Sequence, residues 1–172
     1  ERAEPLLRRE VCEDFDYHAV RALRRQIMEA YIDENGVEAK AGLLPMLREL
    51  RQMGLRIGLA TATPEARARK YLRMVGVEDA FDAVACAEMV AHGKPAPDVY
   101  LLAAQKLNLP PEELLGVEDS PSGVRSAHSA GMTVAMIPDQ DEPSAEIAAL
   151  CALVAPTLAE IAPFVKESLR RL

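Results

Sequence analysis

The chain is predicted to fold as an α/β protein, a parallel sheet with helices on both faces. Two observations predict it. From about residue 42 onward, short apolar runs alternate with longer amphipathic stretches of helical period. Gly and Pro sit at the joints, at Gly54, Pro64, Gly76, Pro97 and Gly131. Strands that keep returning after an intervening helix pair side by side in parallel, and their helices cover the sheet.

Residues 1 to about 40 read differently, as helix alone. Tyr17, Val20, Leu23, Ile27, Met28, Tyr31 and Ile32 recur every three or four residues and form one apolar stripe. Asp16 is placed to cap its start and Asn35-Gly36 to end it. A helix carrying Leu43, Leu44, Leu47, Leu50 and Met53 then runs to Gly54, and a strand follows over 55–60. Pro64 opens a helix with Ala68, Tyr71, Leu72 and Val75, closed by Gly76. A strand is expected over 82–87, and a helix after Pro97 through Leu101, Leu102 and Leu107. Strand 114–117, helix 122–130 and strand 133–137 complete the alternation. A short strand near Leu153 precedes a helix with Leu158, Ile161, Val165 and Leu169.

The chain has 172 residues, enough for one domain with a real core and a small appendage. It contains no Trp, so the interior must be aliphatic. A net charge of −7 argues against nucleic acid and anionic membranes as partners. No apolar run approaches the ~20 residues of a membrane span. The first ten residues, rich in Glu and Arg, are unlike a signal peptide. Cys12, Cys86 and Cys151 lack metal-type spacing and are expected as free thiols in a cytoplasmic protein.

In sheets of this kind the ligand site lies beyond the carboxyl ends of the strands. After the first strand stand Thr61, Ala62 and Thr63, ahead of the helix opened by Pro64. Hydroxyls and N–H groups at a helix start suit a phosphate oxygen, although a Thr cap explains them equally. After the second strand comes Lys94, between Gly93 and Pro95, either an aimed ammonium or a solvated loop lysine. Nearby His92 is assigned no chemistry, and Asp98 reads as a first-turn helix acid. After the third strand come Glu118 and Asp119, followed by Ser120 and Ser122. Adjacent carboxylates repel, and a hard divalent cation relieves the repulsion. A strand-end acid and a helix cap are the alternative. Together these residues would provide phosphate donors, a cation and a metal seat at one sheet rim, the combination phosphoryl transfer needs.

In these residues the sequence resembles the haloacid dehalogenase superfamily, in its phosphatase and β-phosphoglucomutase-like branch. The stretch from Leu55 to Thr63 is similar to its second motif, with Thr61 in the Ser/Thr place. Gly93-Lys94-Pro95-Ala96-Pro97-Asp98 is similar to the third, and Gly116 to Gly123, with Glu118 and Asp119, to the fourth. The resemblance implies a Rossmann-like core with a helical cap, residues 1–40 being the C-terminal half of the cap and 41–172 a core lacking its first strand. It implies a Mg²⁺-dependent attack of an Asp on a small phosphate monoester, sugar-phosphate-like, through an aspartyl-phosphate. Asp119 would bind Mg²⁺ directly and Glu118 directly or through water. Thr61, with the Ala62 N–H, would hold the phosphate, Lys94 would neutralise the intermediate, and Thr63 and Ser120 would assist.

The attacking Asp, expected from an Asp-x-Asp after a central strand, is not found at the motif's place, so the chain is expected to be an incomplete record. Asp14-Phe15-Asp16 has that spacing, but Leu7 to Glu13 is too charged for a buried strand. A mutase that returns phosphate to a sugar is the near alternative, and a non-catalytic binding protein the distant one. A monomer or weak dimer is expected.

Overall fold

The structure, a computed structural model, describes residues 9–10, 16–139 and 142–170. Asp14 and Cys12 lie outside them. The chain divides into two compact units, Glu1–Glu38 and Ala39–Leu172.

In the first unit, helix α1 spans Tyr17–Asn35. The Asp16 carboxylate accepts the Ala19 N–H at 2.8 Å, and Gly36 ends the helix with a φ of 79°, both as the sequence predicts. Its stripe of Val20, Leu23, Ile27 and Tyr31 is exposed.

The second unit is the α/β body. Its elements in order are α2 (Leu43–Gln52), β1 (Gly58–Thr61), α3 (Glu65–Val75), β2 (Ala83–Cys86), α4 (Asp98–Leu107) and β3 (Leu115–Glu118). There follow α5 (Pro121–Ser129), β4 (Thr133–Met136), α6 (Ala145–Ala148), β5 (Leu153–Val154) and α7 (Ile161–Leu169). All observed strand pairs are parallel: β1 with β2 (Thr61 opposite Cys86), β3 with β4 (Glu118 opposite Met136) and β4 with β5.

Strand β4 shows why helices cover both faces. Val134 and Met136 join Val99, Tyr100, Ala103, Val124 and Ala127 from α4 and α5 in one apolar cluster. Their neighbours Ala135 and Ile137 join Met46 and Leu47 of α2 and Ile161 of α7 in another. Successive side chains on a strand point to opposite faces, so a buried strand needs apolar residues at every position. Each of the fully buried Val99, Val124, Met136, Ile137 and Ile161 contributes roughly 1.5–3 kcal/mol. Among the described residues no helix is long and apolar enough to cross a membrane.

The first strand begins later than the sequence pattern suggested, at Gly58 instead of Leu55. Asp82 explains the delay. Its carboxylate accepts the Ile57 N–H at 2.7 Å and pairs with Arg51 at 2.8 Å, fastening the approach to β1 from the side. These bonds, that to Arg51 foremost, hold its carboxyl below the usual range. The unfolded chain therefore takes up the proton first as pH falls, and this support is present above ~pH 4 and lost below it. Asp82→Asn is expected to lower the unfolding midpoint at pH 7 by the equivalent of about 1 kcal/mol or less, as the pair is partly exposed. The difference from wild type should vanish in melts near ~pH 2.5.

Among the described residues the strands form two separate sheets, β1-β2 and β3-β4-β5, with no strand ladder between them. Among those residues β1 and β3 therefore each present an edge that no strand pairs. Val117 on β3, an apolar strand residue, is 36% exposed.

Candidate active site

Between these two edges lies a cavity of about 530 Å³. Leu59, Ala60, Thr61 and Ala62 line it from β1 and its end, and Val117, Glu118, Asp119, Ser120 and Ser122 from β3 and its end. Gly93 and Lys94 reach it from the loop after β2, and Lys40 from the segment before α2. Thr61, Ala62, Lys94, Glu118 and Asp119, picked out separately in the sequence, thus share one cavity wall. Thr63 is not part of that wall. Its N–H donates to the Thr61 Oγ1 at 3.0 Å. That bond uses an acceptor site of the Thr61 hydroxyl and leaves its proton free to donate to a ligand.

The start of α3 is less open to an anion than its Thr-rich approach implied. The Glu65 N–H there donates to the Glu88 carboxylate at 3.0 Å, so the protein's own acid occupies part of the helix terminus.

Lys94 is fastened at its tip. Its ammonium donates to the Ala60 carbonyl at 3.1 Å and pairs with the Glu118 carboxylate. An ammonium has three donors. The third has no acceptor among the described residues. The pair is largely withdrawn from water, with the Lys94 side chain 14% exposed and that of Glu118 6%.

The adjacent acids live in opposite environments. Glu118 is buried, and one of its oxygens receives both Lys94 and the hydroxyl of Tyr100. The other lies 3.3 Å from the Asp119 N–H and 3.4 Å from the Ser120 hydroxyl. Asp119 is exposed, and its carboxylate makes no hydrogen bond or ion pair within the described residues. Alternation along the strand sends one acid inward and leaves the next at the rim.

Three residues to which sequence reasoning gave no role hold this arrangement. Tyr100, on the buried face of α4, presents its ring 4.9 Å below the Lys94 ammonium. Burial, then the neighbouring Glu118 carboxylate, keep its phenol protonated far above the usual range. Ser126 donates from α5 to the Ala96 carbonyl at 2.6 Å, tying down the Lys94 loop. Gly123 lets α5 lie against Glu118, because a Cβ there would stand 1.9 Å from a carboxylate oxygen. In the sequence Gly123 stands only as the last residue of the fourth-motif stretch, with no role attached; Tyr100 and Ser126 read there as ordinary helix residues.

Ser120 is the cap of α5, accepting the Gly123 N–H at 3.2 Å. His92, assigned no chemistry, pairs with Asp98 at 2.9 Å and holds its carboxyl low. Cys86 and Cys151 are free thiols, and burial raises both.

No group of three or more His, Cys, Asp or Glu among the described residues is gathered to hold a metal ion. Asp119 offers one free carboxylate at the rim. That fits a hard cation such as Mg²⁺, which takes one or two carboxylates and completes its shell with phosphate oxygens and water. It does not fit a metal that requires a full protein cage.

A family model described as haloacid dehalogenase-like hydrolase matches residues 3–131. The phosphorylated carbohydrates phosphatase of Thermotoga maritima is 34% identical over 109 residues, 63% of this chain and 48% of that protein. Hexitol phosphatase B of Escherichia coli (strain K12) is 36% identical over 121 residues, 67% of this chain and 54% of that protein. The crystal structure of CbbY from Rhodobacter sphaeroides in complex with phosphate superposes with a TM-score of 0.72 at 27% identity, over 86% of this chain and 67% of that one. The chain spans about half the length of these curated relatives.

Proposed function

The chain belongs to the haloacid dehalogenase-like hydrolase family, and on that premise we propose that it forms most of the core of a Mg²⁺-dependent phosphatase for a small, sugar-phosphate-like monoester. The observation that carries the reading is the shared cavity: two donors, Thr61 and Ala62, a withdrawn ammonium, Lys94, and a free carboxylate, Asp119, line one opening. Phosphoryl transfer is catalysed mostly by positioning and by charge placed where charge develops.

Thr61 and the Ala62 N–H hold the transferring phosphoryl group. Lys94 donates its third N–H to the same group and balances its charge. Asp119 would hold Mg²⁺ directly, and Glu118, bound to Lys94, aims the ammonium and would act on the metal through water, its carboxylate being engaged by Lys94 and Tyr100. When bound, Mg²⁺ neutralises phosphate oxygens. The attacking aspartate, which carries the phosphoryl group until water removes it, comes on a further parallel strand in the interval between β1 and β3. The unpaired edges on both sides of the cavity, and the exposed Val117, support that placement.

Release of inorganic phosphate from hexose phosphates by the full-length protein tests the proposal. Activity is expected to require Mg²⁺, and Asp119→Ala is expected to lower kcat/KM about 10²–10³-fold. Turnover unchanged by that substitution would exclude the assignment. An isomerised sugar monophosphate in place of free phosphate, formed by return of the phosphoryl group to the sugar, would identify a mutase.

A further inference from the structure

We infer that Tyr100 is a positioning residue of this site: by holding Glu118 through its hydroxyl and carrying the Lys94 ammonium on its ring face, it sets where the lysine meets the phosphoryl group. The inference rests on the phosphatase reading for its functional half and on geometry alone for its structural half.

Lys94 needs such a device. It leaves the backbone from a loop whose residues Ala91, His92, Gly93 and Pro95 are exposed, on a stem with four rotatable carbons. Backbone placement cannot fix its tip. Two contacts do, the Ala60 carbonyl and the Glu118 carboxylate. Glu118 is itself a flexible side chain, and the group that shares its lysine-bound oxygen is the Tyr100 hydroxyl. The same tyrosine lies under the ammonium, 4.9 Å from ring centroid to nitrogen. An aromatic face attracts a cation, most strongly away from water. One rigid, buried residue therefore touches both members of the pair by two different parts of its side chain. Tyr100 is 6% exposed and sits among Val99, Ala103 and Val124, so its ring cannot swing with the loop.

A tyrosine that merely filled the core would be replaced by Phe without consequence for Lys94. A tyrosine that positions Lys94 would not. The Lys94 ammonium resonances of the full-length protein, followed by ¹H–¹⁵N NMR, read the tip directly, and turnover of p-nitrophenyl phosphate by the same protein reads the result. Tyr100→Phe is expected to speed proton exchange of the ammonium until its signal broadens away. It should lower kcat roughly 10-fold with KM changed less than about two-fold. Tyr100→Leu, which also removes the ring, should lower kcat further. Val99→Ala, a packing change beside it, should reduce the unfolding midpoint while leaving the ammonium signal and kcat in place.

A Tyr100→Phe protein with wild-type ammonium exchange and wild-type kcat overturns the inference, whatever its melting temperature. A wild-type protein without phosphatase turnover, combined with a lost ammonium signal in Tyr100→Phe, overturns the functional reading instead and upholds the positioning of Lys94.

Discussion

Lys94→Met is expected to unfold the protein at a markedly lower temperature as well as to abolish turnover. Methionine matches the lysine stem and removes the charge. Glu118 then keeps a carboxylate in a buried setting with only neutral donors: Tyr100 and, at longer range, the Asp119 N–H and the Ser120 hydroxyl. Breaking a buried pair by removing one partner costs about 3–5 kcal/mol. The neutral donors should bring the loss to the lower end of that range, about 3 kcal/mol, or ~6–12 °C for a chain of this size. The informative comparison is the double variant Lys94→Met, Glu118→Gln. With both charges gone, most of the lost stability should return, while turnover stays absent. Thermal melts of the two single variants and the double variant give the coupling directly. If Lys94→Met melted within a degree of wild type, the pair would not be engaged in solution.

Gly123→Ala is expected to be the most damaging glycine-to-alanine change in the molecule. In an ordinary helix the same substitution stabilises by up to ~1 kcal/mol. Here the added Cβ would stand 1.9 Å from one oxygen of Glu118 and 2.0 Å from its carboxyl carbon. Either α5 lifts off β3 or Glu118 leaves its place. In the first case Val124 and Ala127, both fully buried, lose their packing; in the second, Lys94 and Tyr100 lose their shared acceptor. Both outcomes are expected to lower stability by about 2 kcal/mol or more and to reduce turnover. Gly93→Ala is the control, because nothing lies within 4 Å of its would-be Cβ. It should melt close to wild type, within about 0.5 kcal/mol.

Strand ends were legible because parallel strands make two local demands that sequence shows well: apolar runs inside, and chemistry where each run stops. Thr61 and Asp119 stand at such stops and Lys94 in the loop that follows one, and the structure brings all three to one cavity. The different surroundings of Glu118 and Asp119 were not legible. Both are acids at a strand end, and only the packing of α4 and α5 shows which is enclosed. Tyr100 was hidden for a related reason. A tyrosine on the buried face of a helix looks like core until its hydroxyl is seen to meet a residue 18 positions further along the chain. The start of β1 was misplaced because Leu55 and Ile57 suit a strand, while the competing bond from Asp82 comes from another segment. Helix α6, Ala145–Ala148, went unnoticed because four residues are too few to display a helical period.

The junction of Lys94, Glu118, Tyr100 and Gly123 has an evolutionary consequence. Lys94 and Glu118 line the opening, and Tyr100 and Gly123 lie buried behind them, so a mutation that retunes this wall also threatens the fold. Adaptation to a new metabolite is therefore channelled to parts of the opening not clamped in this way, such as Lys40, whose exposed pair with Asp139 can be exchanged without disturbing the buried clusters.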